Sequence, residues 1–204
     1  MVGAAGSAPG PTIGVLALQG DFREHLAVLA ELGAKGVTVR RAEELDRVDG
    51  LIIPGGESTV MDKLARAFGL AGPLKERIAA GLPVYGTCAG LILLADTVLD
   101  AVAGQQTIGG LDVTVRRNAF GNQLDSFETD LAVDGFDGPP VHAAFIRAPV
   151  VETVGEKATS IAALDDGRVV AVRQGNLLGT SFHPEITGEL RFHRAFLDTV
   201  AAAA

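Results

Sequence analysis

The chain has 204 residues, a formal net charge of −8 and a composition that is 48% hydrophobic but only 5% aromatic. This length suits one α/β domain, and the negative charge opposes the counterion release that drives binding to nucleic acid. The single cysteine, Cys88, cannot form a disulfide within the chain, which is typical of proteins in a reducing compartment. We therefore expect a cytoplasmic protein that binds no nucleic acid.

The first eleven residues are mostly small or turn-forming and lack the basic and apolar regions of a signal peptide. They predict a flexible tail over residues 1–11, followed by a single domain over residues 12–204. The longest apolar stretch, residues 89–103, is interrupted by Asp96 and Asp100 and is shorter than the roughly 20 residues that span a bilayer. No membrane-spanning segment is expected.

The first half of the chain alternates apolar runs with helical patterns, and glycine or proline stands at most of the boundaries. Short apolar runs predict strands at residues 13–18, 37–40, 51–53 and 83–86. Periodic or capped segments predict helices at residues 21–32, 58–68, 73–81 and 91–99, with Ser58 as the N-cap of the second. This alternation is typical of parallel sheets flanked by helices.

The second half of the chain predicts mostly short strands, separated by Gly, Pro, Asn and Asp. They are expected at residues 113–117, 130–133, 143–146, 160–164, 169–174 and 177–182, and a final helix at residues 189–200. Together the two halves predict an α/β fold: a doubly wound, mostly parallel sheet with helices on both faces and antiparallel additions.

The strand predicted at residues 83–86 ends in Gly86-Thr87-Cys88-Ala89-Gly90, which matches the nucleophile-elbow pattern with cysteine in place of serine. The flanking glycines permit the strained turn that lifts a nucleophile above the sheet edge. The helix predicted after the turn would place its positive dipole end at Cys88 and favour the reactive thiolate. A buried structural cysteine is the alternative, but the two glycines favour a nucleophile.

A second motif, Ser181-Phe182-His183-Pro184-Glu185, comes at the end of the last predicted strand. A cysteine nucleophile requires a base that takes and returns a proton, and the imidazole requires a carboxylate that fixes its tautomer. If the backbone stays extended, the side chains of His183 and Glu185 face the same direction. His-Pro-Glu alone is more typical of a surface turn, but together with the elbow it predicts a catalytic triad of Cys88, His183 and Glu185.

A third motif, Pro54-Gly55-Gly56-Glu57-Ser58, stands between a predicted strand and a predicted helix. Turns of this kind expose backbone N–H groups that can stabilise an oxyanion. The amides of Gly56 and of Ala89, directly after the nucleophile, are the predicted pair of donors. An ordinary βα loop is the alternative interpretation.

In their order along the chain, these motifs resemble the class I, triad-type glutamine amidotransferases, and among them the glutaminase subunits of pyridoxal 5′-phosphate synthases. The resemblance covers nearly the whole chain, from about residue 13 to the final helix. It is also carried by Leu18-Gln19-Gly20, Arg23-Glu24-His25, Arg117-Asn118-x-Phe120-Gly121, Ser126-Phe127-Glu128 and Phe145-Ile146-Arg147-Ala148-Pro149. Each motif alone carries little weight, whereas their joint order is specific.

The resemblance implies hydrolysis of L-glutamine to glutamate and ammonia, with the ammonia passed to a separate (β/α)-barrel synthase subunit. It also implies which residues hold glutamine: Gly56, Glu57, Ser58, Arg117, Ile146 and Arg147. The two arginines agree with this on chemical grounds, because the carboxylate of a free amino acid calls for a cationic clamp. Solvated arginines at strand ends are the alternative.

Two further residues receive roles from the resemblance. Gln19 is expected to help form or gate the oxyanion site when the partner docks, with a polar turn residue as the alternative. His25 is expected to lie with Arg23 and Glu24 on an exposed helix face that contacts the partner. The mechanism requires no metal ion or organic cofactor, and the histidines show no clustered ligand spacing.

Two other functions stay open at this point. One is a different α/β hydrolase with a cysteine elbow, such as an intracellular protease or a protein repair hydrolase, which would not need a glutamine clamp. The other is a non-catalytic subunit that only senses glutamine. The motif His183-Pro184-Glu185 argues against the first, and the intact set of cysteine, histidine and glutamate argues against the second.

Overall fold

The computed structural model describes residues 10–119 and 126–203. Most of the predicted tail therefore lies outside the described residues, as do Phe120 and Gly121 of one sequence motif. The described residues form twelve strands and seven helices, and none of these helices is long and apolar enough to cross a membrane. The strands are β1 (Thr12–Leu16), β2 (Lys35–Val39), β3 (Gly50–Ile53), β4 (Val84–Thr87), β5 (Ala95–Leu99), β6 (Leu111–Arg116), β7 (Ser126–Leu131), β8 (Val141–Ile146), β9 (Val150–Val154), β10 (Thr159–Ala163), β11 (Val169–Gln174) and β12 (Leu177–Thr180). The helices are α1 (Phe22–Glu31), α2 (Ala42–Leu45), α3 (Ser58–Ala67), α4 (Ala71–Ala79), α5 (Ala89–Leu94), α6 (Pro184–Thr187) and α7 (Arg191–Ala203).

One ten-stranded sheet organises the fold, in the order β2-β1-β3-β4-β12-β11-β9-β6-β5, with β10 paired to β11. The neighbours from β2 to β12 all pair in parallel, so the carboxyl ends of these strands meet at one edge. Strands β9, β10 and β11 add antiparallel pairs, and β7 with β8 forms a separate antiparallel pair. The predicted mostly parallel sheet with antiparallel additions is confirmed.

Apolar side chains cover both faces of the sheet, as expected of parallel strands built from runs of Val, Ile and Leu. On one face, α3, α4 and α5 contribute core residues that include Met61, Leu74 and Leu91. On the other face, α1 and α7 contribute Leu29 and Phe196 among others. The prediction of helices on both faces is therefore confirmed.

The helix predicted at residues 91–99 is wrong over its second half. Helix α5 ends at Leu94, and the following residues form β5, which pairs in parallel with β6. Every residue of α5 is buried, whereas Asp96 and Thr97 of β5 are exposed. An apolar run of this length does not distinguish a short buried helix from an edge strand that follows it. The β-branched Thr97 and Val98 and the pairing with β6 favour the strand.

Two other local predictions also differ from the structure. The N-cap of α3 is not Ser58 but Glu57, whose carboxylate accepts hydrogen bonds from the amides of Thr59 and Val60 at 3.1 and 2.9 Å. Strand β9 was not predicted, and the strand expected at residues 130–133 runs from Ser126 to Leu131 as β7. Pairing with distant partners stabilises both strands, so their bounds do not follow from local sequence.

Candidate active site

Cys88 stands at a strained turn between β4 and α5. Its backbone angles are φ 49° and ψ −100°, in a region that residues other than glycine rarely adopt. The backbone N–H of Cys88 donates to the carbonyl of Thr180 on β12 at 2.7 Å, which ties the turn to the neighbouring strand. Gly90 is needed here because a Cβ at that position would collide with the carbonyl of Ile53. The turn has the backbone geometry of a nucleophile elbow.

The imidazole of His183 lies between the thiol of Cys88 and the carboxylate of Glu185. Nδ1 of His183 is 2.8 Å from Oε1 of Glu185, and the side chain of Cys88 is near enough to the same ring to raise its pKa. The residues meet because β4 and β12 are adjacent parallel strands, with Thr87 opposite Thr180. All three side chains of the predicted triad are buried at this edge of the sheet.

The segment that contains His183 and Glu185 does not stay extended, which was the condition under which the two side chains were expected to face the same direction. Strand β12 ends at Thr180, and Pro184 occupies the first turn of α6. His183 is the N-cap residue of this short helix, with φ −115° and ψ 81°. The two side chains are close, as expected, but the turn of a helix brings them together.

The environment of His183 favours its positively charged form. Burial disfavours the imidazolium, but the hydrogen bonds and negative charges of Cys88 and Glu185 outweigh burial and raise the pKa of His183 to about 10. Burial also dominates at Glu185 and raises the pKa of its carboxyl, against the opposing influence of the His183 hydrogen bond and charge. The protonated ring of His183 can stabilise a thiolate of Cys88 on one side, while the carboxylate of Glu185 holds the ring on the other side.

A second carboxylate, that of Asp21, stands beside the triad and was not predicted as a site residue. Asp21 is the N-cap of α1, and its Oδ2 lies 3.7 Å from Nδ1 of His183. Oxygen and nitrogen atoms of Asp21, His183 and Glu185 lie within 4.8 Å of one another, a spacing that a metal ion would fit. The expected absence of a metal stays a prediction.

The turn after β3 passes directly beside the ring of His183. A Cβ at Gly55 would collide with that ring, so only glycine permits this approach. The backbone N–H of Asp21 donates to the carbonyl of Gly55 at 3.1 Å, which ties this turn to the start of α1. The glycine pair of the sequence motif therefore serves the packing of the imidazole as well as the turn itself.

The predicted oxyanion donors, Gly56 and Ala89, follow the adjacent strands β3 and β4. Gly56 has φ 148°, a conformation that favours glycine. The next amide, that of Glu57, donates to Oε1 of Gln19 at 2.7 Å. Gln19 thus holds the turn by a hydrogen bond, and its expected role in gating stays a prediction.

The predicted glutamine-binding residues Arg117 and Glu57 form an ion pair at the same edge of the sheet. Nη2 of Arg117 is 3.1 Å from Oε1 of Glu57. Partial burial disfavours ionised Glu57, but the amides of Thr59 and Val60 and the charge of Arg117 outweigh it and lower the pKa of Glu57. One positive and one negative group therefore stand side by side where a free amino acid is expected.

Gln105 links this ion pair to Ser58 and was not predicted as a site residue. Oε1 of Gln105 accepts a hydrogen bond from Nη1 of Arg117 at 2.8 Å, and its Nε2 donates to Oγ of Ser58 at 3.0 Å. Gln105 lies in the loop between β5 and β6, and no local signal distinguishes it from its neighbour Gln106. Its position depends entirely on where this loop crosses the start of α3.

Ile146 and Arg147 lie at the end of β8. Ile146 is exposed, and Arg147 has φ 44°, so the chain turns sharply after the strand. The backbone N–H of Ala119 donates to the carbonyl of Ala148 at 3.2 Å, which joins the segment after Arg117 to the segment after Arg147. The structure therefore brings together the two arginine segments that the sequence separates.

His25 is completely buried, so the expectation of an exposed position for this residue is wrong. Arg23 and Glu24 are exposed as predicted, but helical geometry turns the next side chain inward. The ring of His25 contacts Thr87 and His193 instead of solvent.

The model of the SNO glutamine amidotransferase family matches residues 15–202. The chain belongs to this family. Its relatives include the pyridoxal 5′-phosphate synthase subunit PdxT of Clavibacter michiganensis subsp. michiganensis, which is 66% identical over 194 residues covering 95% of this chain and 93% of that protein. The protein of the same name from Streptomyces coelicolor is 59% identical over 192 residues, covering 94% of this chain and 95% of that protein. The resemblance drawn from the sequence motifs is confirmed.

Solved structures agree with the family assignment. A crystal structure of a glutamine amidotransferase matches this amidotransferase with a TM-score of 0.87 and 46% identity, covering 93% of this chain and 98% of that chain. The structure of PurLQS from Thermotoga maritima matches with a TM-score of 0.66 at 18% identity, covering 94% of this chain and 99% of that chain, which shows likeness of fold alone. The expected glutamine amidotransferase fold and enzyme class are confirmed, and the protease and sensor alternatives are not favoured.

Proposed function

We propose that this amidotransferase hydrolyses L-glutamine to L-glutamate and ammonia with Cys88 as nucleophile, and that it delivers the ammonia to a pyridoxal 5′-phosphate synthase. The observation that carries the catalytic part is the position of His183, whose Nδ1 hydrogen-bonds with Glu185 at 2.8 Å and whose pKa is raised by the nearby side chain of Cys88. The relatives named as subunits of pyridoxal 5′-phosphate synthase support the second part.

The first half of the reaction forms a thioester. The thiolate of Cys88 attacks the side-chain amide carbon of glutamine, and the amides of Gly56 and Ala89 stabilise the resulting oxyanion. When the tetrahedral intermediate collapses, the carbon–nitrogen bond breaks and the imidazolium of His183 gives its proton to the leaving nitrogen. Ammonia departs, and a γ-glutamyl thioester remains on Cys88.

The second half of the reaction releases glutamate. The neutral His183 takes a proton from a water molecule, which attacks the thioester carbon and forms a second tetrahedral intermediate. This intermediate expels the sulfur of Cys88 as a thiolate, and His183 is left protonated for the next cycle. Glu185 keeps the imidazole in one orientation throughout and stabilises its positive charge.

Glutamine carries an α-carboxylate and an α-ammonium group, and the site offers one residue of each opposite charge. The guanidinium of Arg117 suits the carboxylate because it can donate two parallel hydrogen bonds, and the carboxylate of Glu57 suits the ammonium group. The 3.1 Å contact between these two residues is then exchanged for contacts with the substrate. We assign Gly56, Ser58, Ile146 and Arg147 to the same pocket, as the resemblance implies.

The proposed partner is the (β/α)-barrel synthase subunit, with which the chain would form a hetero-oligomer. Free ammonia is protonated in neutral water and diffuses away, so a glutaminase is efficient only when its acceptor lies close by. We further propose that residues 12–204 form one glutaminase domain, with residues 1–11 as a tail, and that the complex is cytoplasmic. Gln19, whose Oε1 accepts from the amide of Glu57 at 2.7 Å, is the proposed gate at the oxyanion site.

The test is ammonia release from L-glutamine, measured for the chain alone and for its complex with the synthase subunit. We expect a low rate alone, a higher rate in the complex, and glutamine-dependent formation of pyridoxal 5′-phosphate by the complex. Cys88→Ala should abolish ammonia release while leaving the circular dichroism spectrum unchanged. Turnover by Cys88→Ala would reject the nucleophile, and equal rates with and without the synthase would reject the coupling.

The same preparation distinguishes the alternative functions. A protease or repair hydrolase would cleave peptides in a reaction that a thiol-directed inhibitor blocks, without releasing ammonia from glutamine. A sensor would bind glutamine without turning it over. We expect neither pattern, because His183 and Glu185 supply the proton transfers that hydrolysis requires.

A further inference from the structure

We propose that His25 is a positioning residue for the catalytic carboxylate. Nε2 of His25 lies 3.1 Å from Oγ1 of Thr87 and 3.6 Å from Oε1 of Glu185. Because Thr87 directly precedes Cys88, one buried imidazole contacts both the carboxylate of the triad and the strand end that carries the nucleophile. This inference rests on the proposed function, since it assigns a role within that site.

The tautomer of His25 follows from its second contact. Nδ1 of His25 is 2.8 Å from Nε2 of His193, so one of these two nitrogens carries the shared proton. If His25 donated, His193 would carry its own proton on Nδ1, which has no partner among the described residues. The bare Nε2 of His25 would then face the anion of Glu185. In the opposite arrangement, His193 donates and His25 carries its proton on Nε2. The anion of Glu185 then faces an N–H group, and Nδ1 of His193 is an unpaired acceptor instead of an unpaired donor.

With its proton on Nε2, His25 directs an N–H group toward the site. The 3.1 Å distance to Thr87 is that of a hydrogen bond, whereas 3.6 Å to Glu185 is too long for one but places the positive end of the N–H dipole beside the carboxylate. The oxygen beside the dipole, Oε1, also accepts from His183 at 2.8 Å, whereas Oε2 has no hydrogen-bond partner among the residues that the structure describes. Glu185 is therefore a buried carboxylate with few donors, and the dipole of His25 adds to the stabilisation that they provide.

Both histidines of the pair are neutral. Burial is the largest influence on His25 and lowers its pKa well below the ordinary value, and the positive charges that His193 and His183 carry when protonated lower it further. Burial lowers the pKa of His193 to about 4. A neutral donor can stabilise the carboxylate of Glu185 without adding a charge that would repel the imidazolium of His183.

One other ionisable group near Glu185, the carboxyl of Asp21, acts in the opposite direction. The carboxylate of Asp21, at the start of α1, repels the negative charge of Glu185 and raises its pKa further. Tyr85 on β4 is buried, and its own pKa is raised first by burial and then by the charge of Glu185. Its hydroxyl lies 3.3 Å from Oγ1 of Thr180. His25 therefore opposes the destabilisation of the catalytic carboxylate by burial and by Asp21.

Two polar variants separate the two sides of the His25 ring. His25→Gln can place an amide N–H near the Nε2 position, toward Thr87 and Glu185. His25→Asn is shorter and keeps a polar group near the Nδ1 position, toward His193. If His25 positions the carboxylate, the contact toward Thr87 and Glu185 is required and only His25→Gln keeps it. If His25 only fills the core, the two variants should behave alike.

For His25→Asn we expect the pKa of Glu185 to rise, because the anion loses the N–H dipole beside it, and a protonated Glu185 no longer supports the imidazolium and thiolate. The acidic limb of the pH profile of kcat should therefore move to higher pH by about one unit. At pH 7, kcat should fall about tenfold while KM stays within about twofold of the native value. His25→Gln should retain most of the native kcat and most of the native position of the acidic limb.

A second readout does not depend on glutamine. Cys88 is the only cysteine in the chain, so alkylation by iodoacetamide as a function of pH reports its thiolate directly. For His25→Asn we expect the acidic limb of this alkylation profile to move to higher pH by the same amount as the acidic limb of kcat. Leu29→Val is the matched control, because Leu29 is one turn further along α1, equally buried and packed in the core. It should lower Tm without moving the alkylation profile.

The outcomes are distinct. An unmoved alkylation profile in His25→Asn, or equal movement in the Asn and Gln variants, would overturn the proposal. If the His25→Asn chain does not fold, His193→Phe tests the same tautomer. In this variant His25 loses the donor that keeps its own proton on Nε2. An unmoved acidic limb in His193→Phe would also overturn the proposal. A moved alkylation limb in a chain whose native form hydrolyses no glutamine would support His25 and reject the proposed function.

Discussion

Nδ1 of His183 lies 2.8 Å from Oε1 of Glu185, and this contact is made across the first turn of a helix. Pro184, between them, has the φ that a helix start requires, which fixes the carboxylate on the same side as the ring. Both side chains are buried, so water and salt screen their interaction only weakly. The charge state of His183 therefore depends on the charge of Glu185.

Replacing Glu185 with Gln removes this negative charge and keeps an oxygen within reach of His183. The pKa of His183, raised to about 10 in the native chain, should fall, and kcat should drop by about 100-fold to 10,000-fold. NMR titration of labelled histidine measures the pKa. Asp21→Asn, which removes a carboxylate 3.7 Å away, should cause a smaller change. A larger change with Asp21→Asn would make Asp21 the main partner of the imidazole.

Substitution of Gly55 by Ala should reduce activity strongly, because the added Cβ collides with the ring of His183 and displaces it from the thiol. The matched control is Gly72→Ala in α4, where nothing lies within 4 Å of the added atom. Alanine is the better helix former, so this control should raise the free energy of unfolding by about 0.5–1 kcal/mol and leave activity unchanged. Full activity of Gly55→Ala would contradict the close approach of the imidazole.

Truncation of Gln105 to Ala should weaken glutamine binding more than it slows the chemical step. Gln105 accepts from Arg117 at 2.8 Å and donates to Ser58 at 3.0 Å, so its loss leaves the guanidinium less well oriented. We expect KM for glutamine to rise about tenfold with kcat little changed. Gln106→Ala is the control, because the bond of Gln106 to Asp62 at 3.0 Å uses the backbone N–H. Equal effects of the two substitutions would count against the assignment.

Stability in mild acid should depend on His193. Burial lowers its pKa from 6.5 to about 4, so between these values the unfolded chain binds a proton that the folded chain does not. The contribution to the free energy of unfolding is fully present above pH 6.5. It is lost as the pH falls toward 4, at about 1.4 kcal/mol per pH unit and roughly 3 kcal/mol in total.

Denaturant titrations between pH 4 and 7 test this dependence on pH. His193→Phe should flatten the slope in part, because the lowered pKa of His25 contributes in the same direction. His142 is the control: it is exposed, and hydrogen bonds with Asp130 and Glu128 raise its pKa. Its contribution has the opposite sign and is screened by solvent, so His142→Gln should leave the slope nearly unchanged. An equally steep slope in His193→Phe would contradict the assignment.

The turns of the site could be predicted from the sequence because their signals are local. Glycines at positions 86 and 90 mark the elbow, and the close contacts that exclude a Cβ there involve residues of the turn or of the adjacent strand. The bounds of β5 could not be predicted, because residues 95–99 are a strand only through pairing with β6. The helix at Pro184 was not predicted either, since the sequence argument assumed an extended segment between His183 and Glu185.

The sequence by itself determined the first four strands of the sheet, the turn at Cys88 and the chemical groups of the proposed triad. Each of these follows from residues that are neighbours in the chain. The tertiary structure decided that His25 is buried behind Glu185, that Gln105 orients Arg117 and that Asp21 stands beside His183. These contacts join residues from 12 to 162 positions apart, and their distances depend on how the sheet and helices pack, which no local pattern specifies.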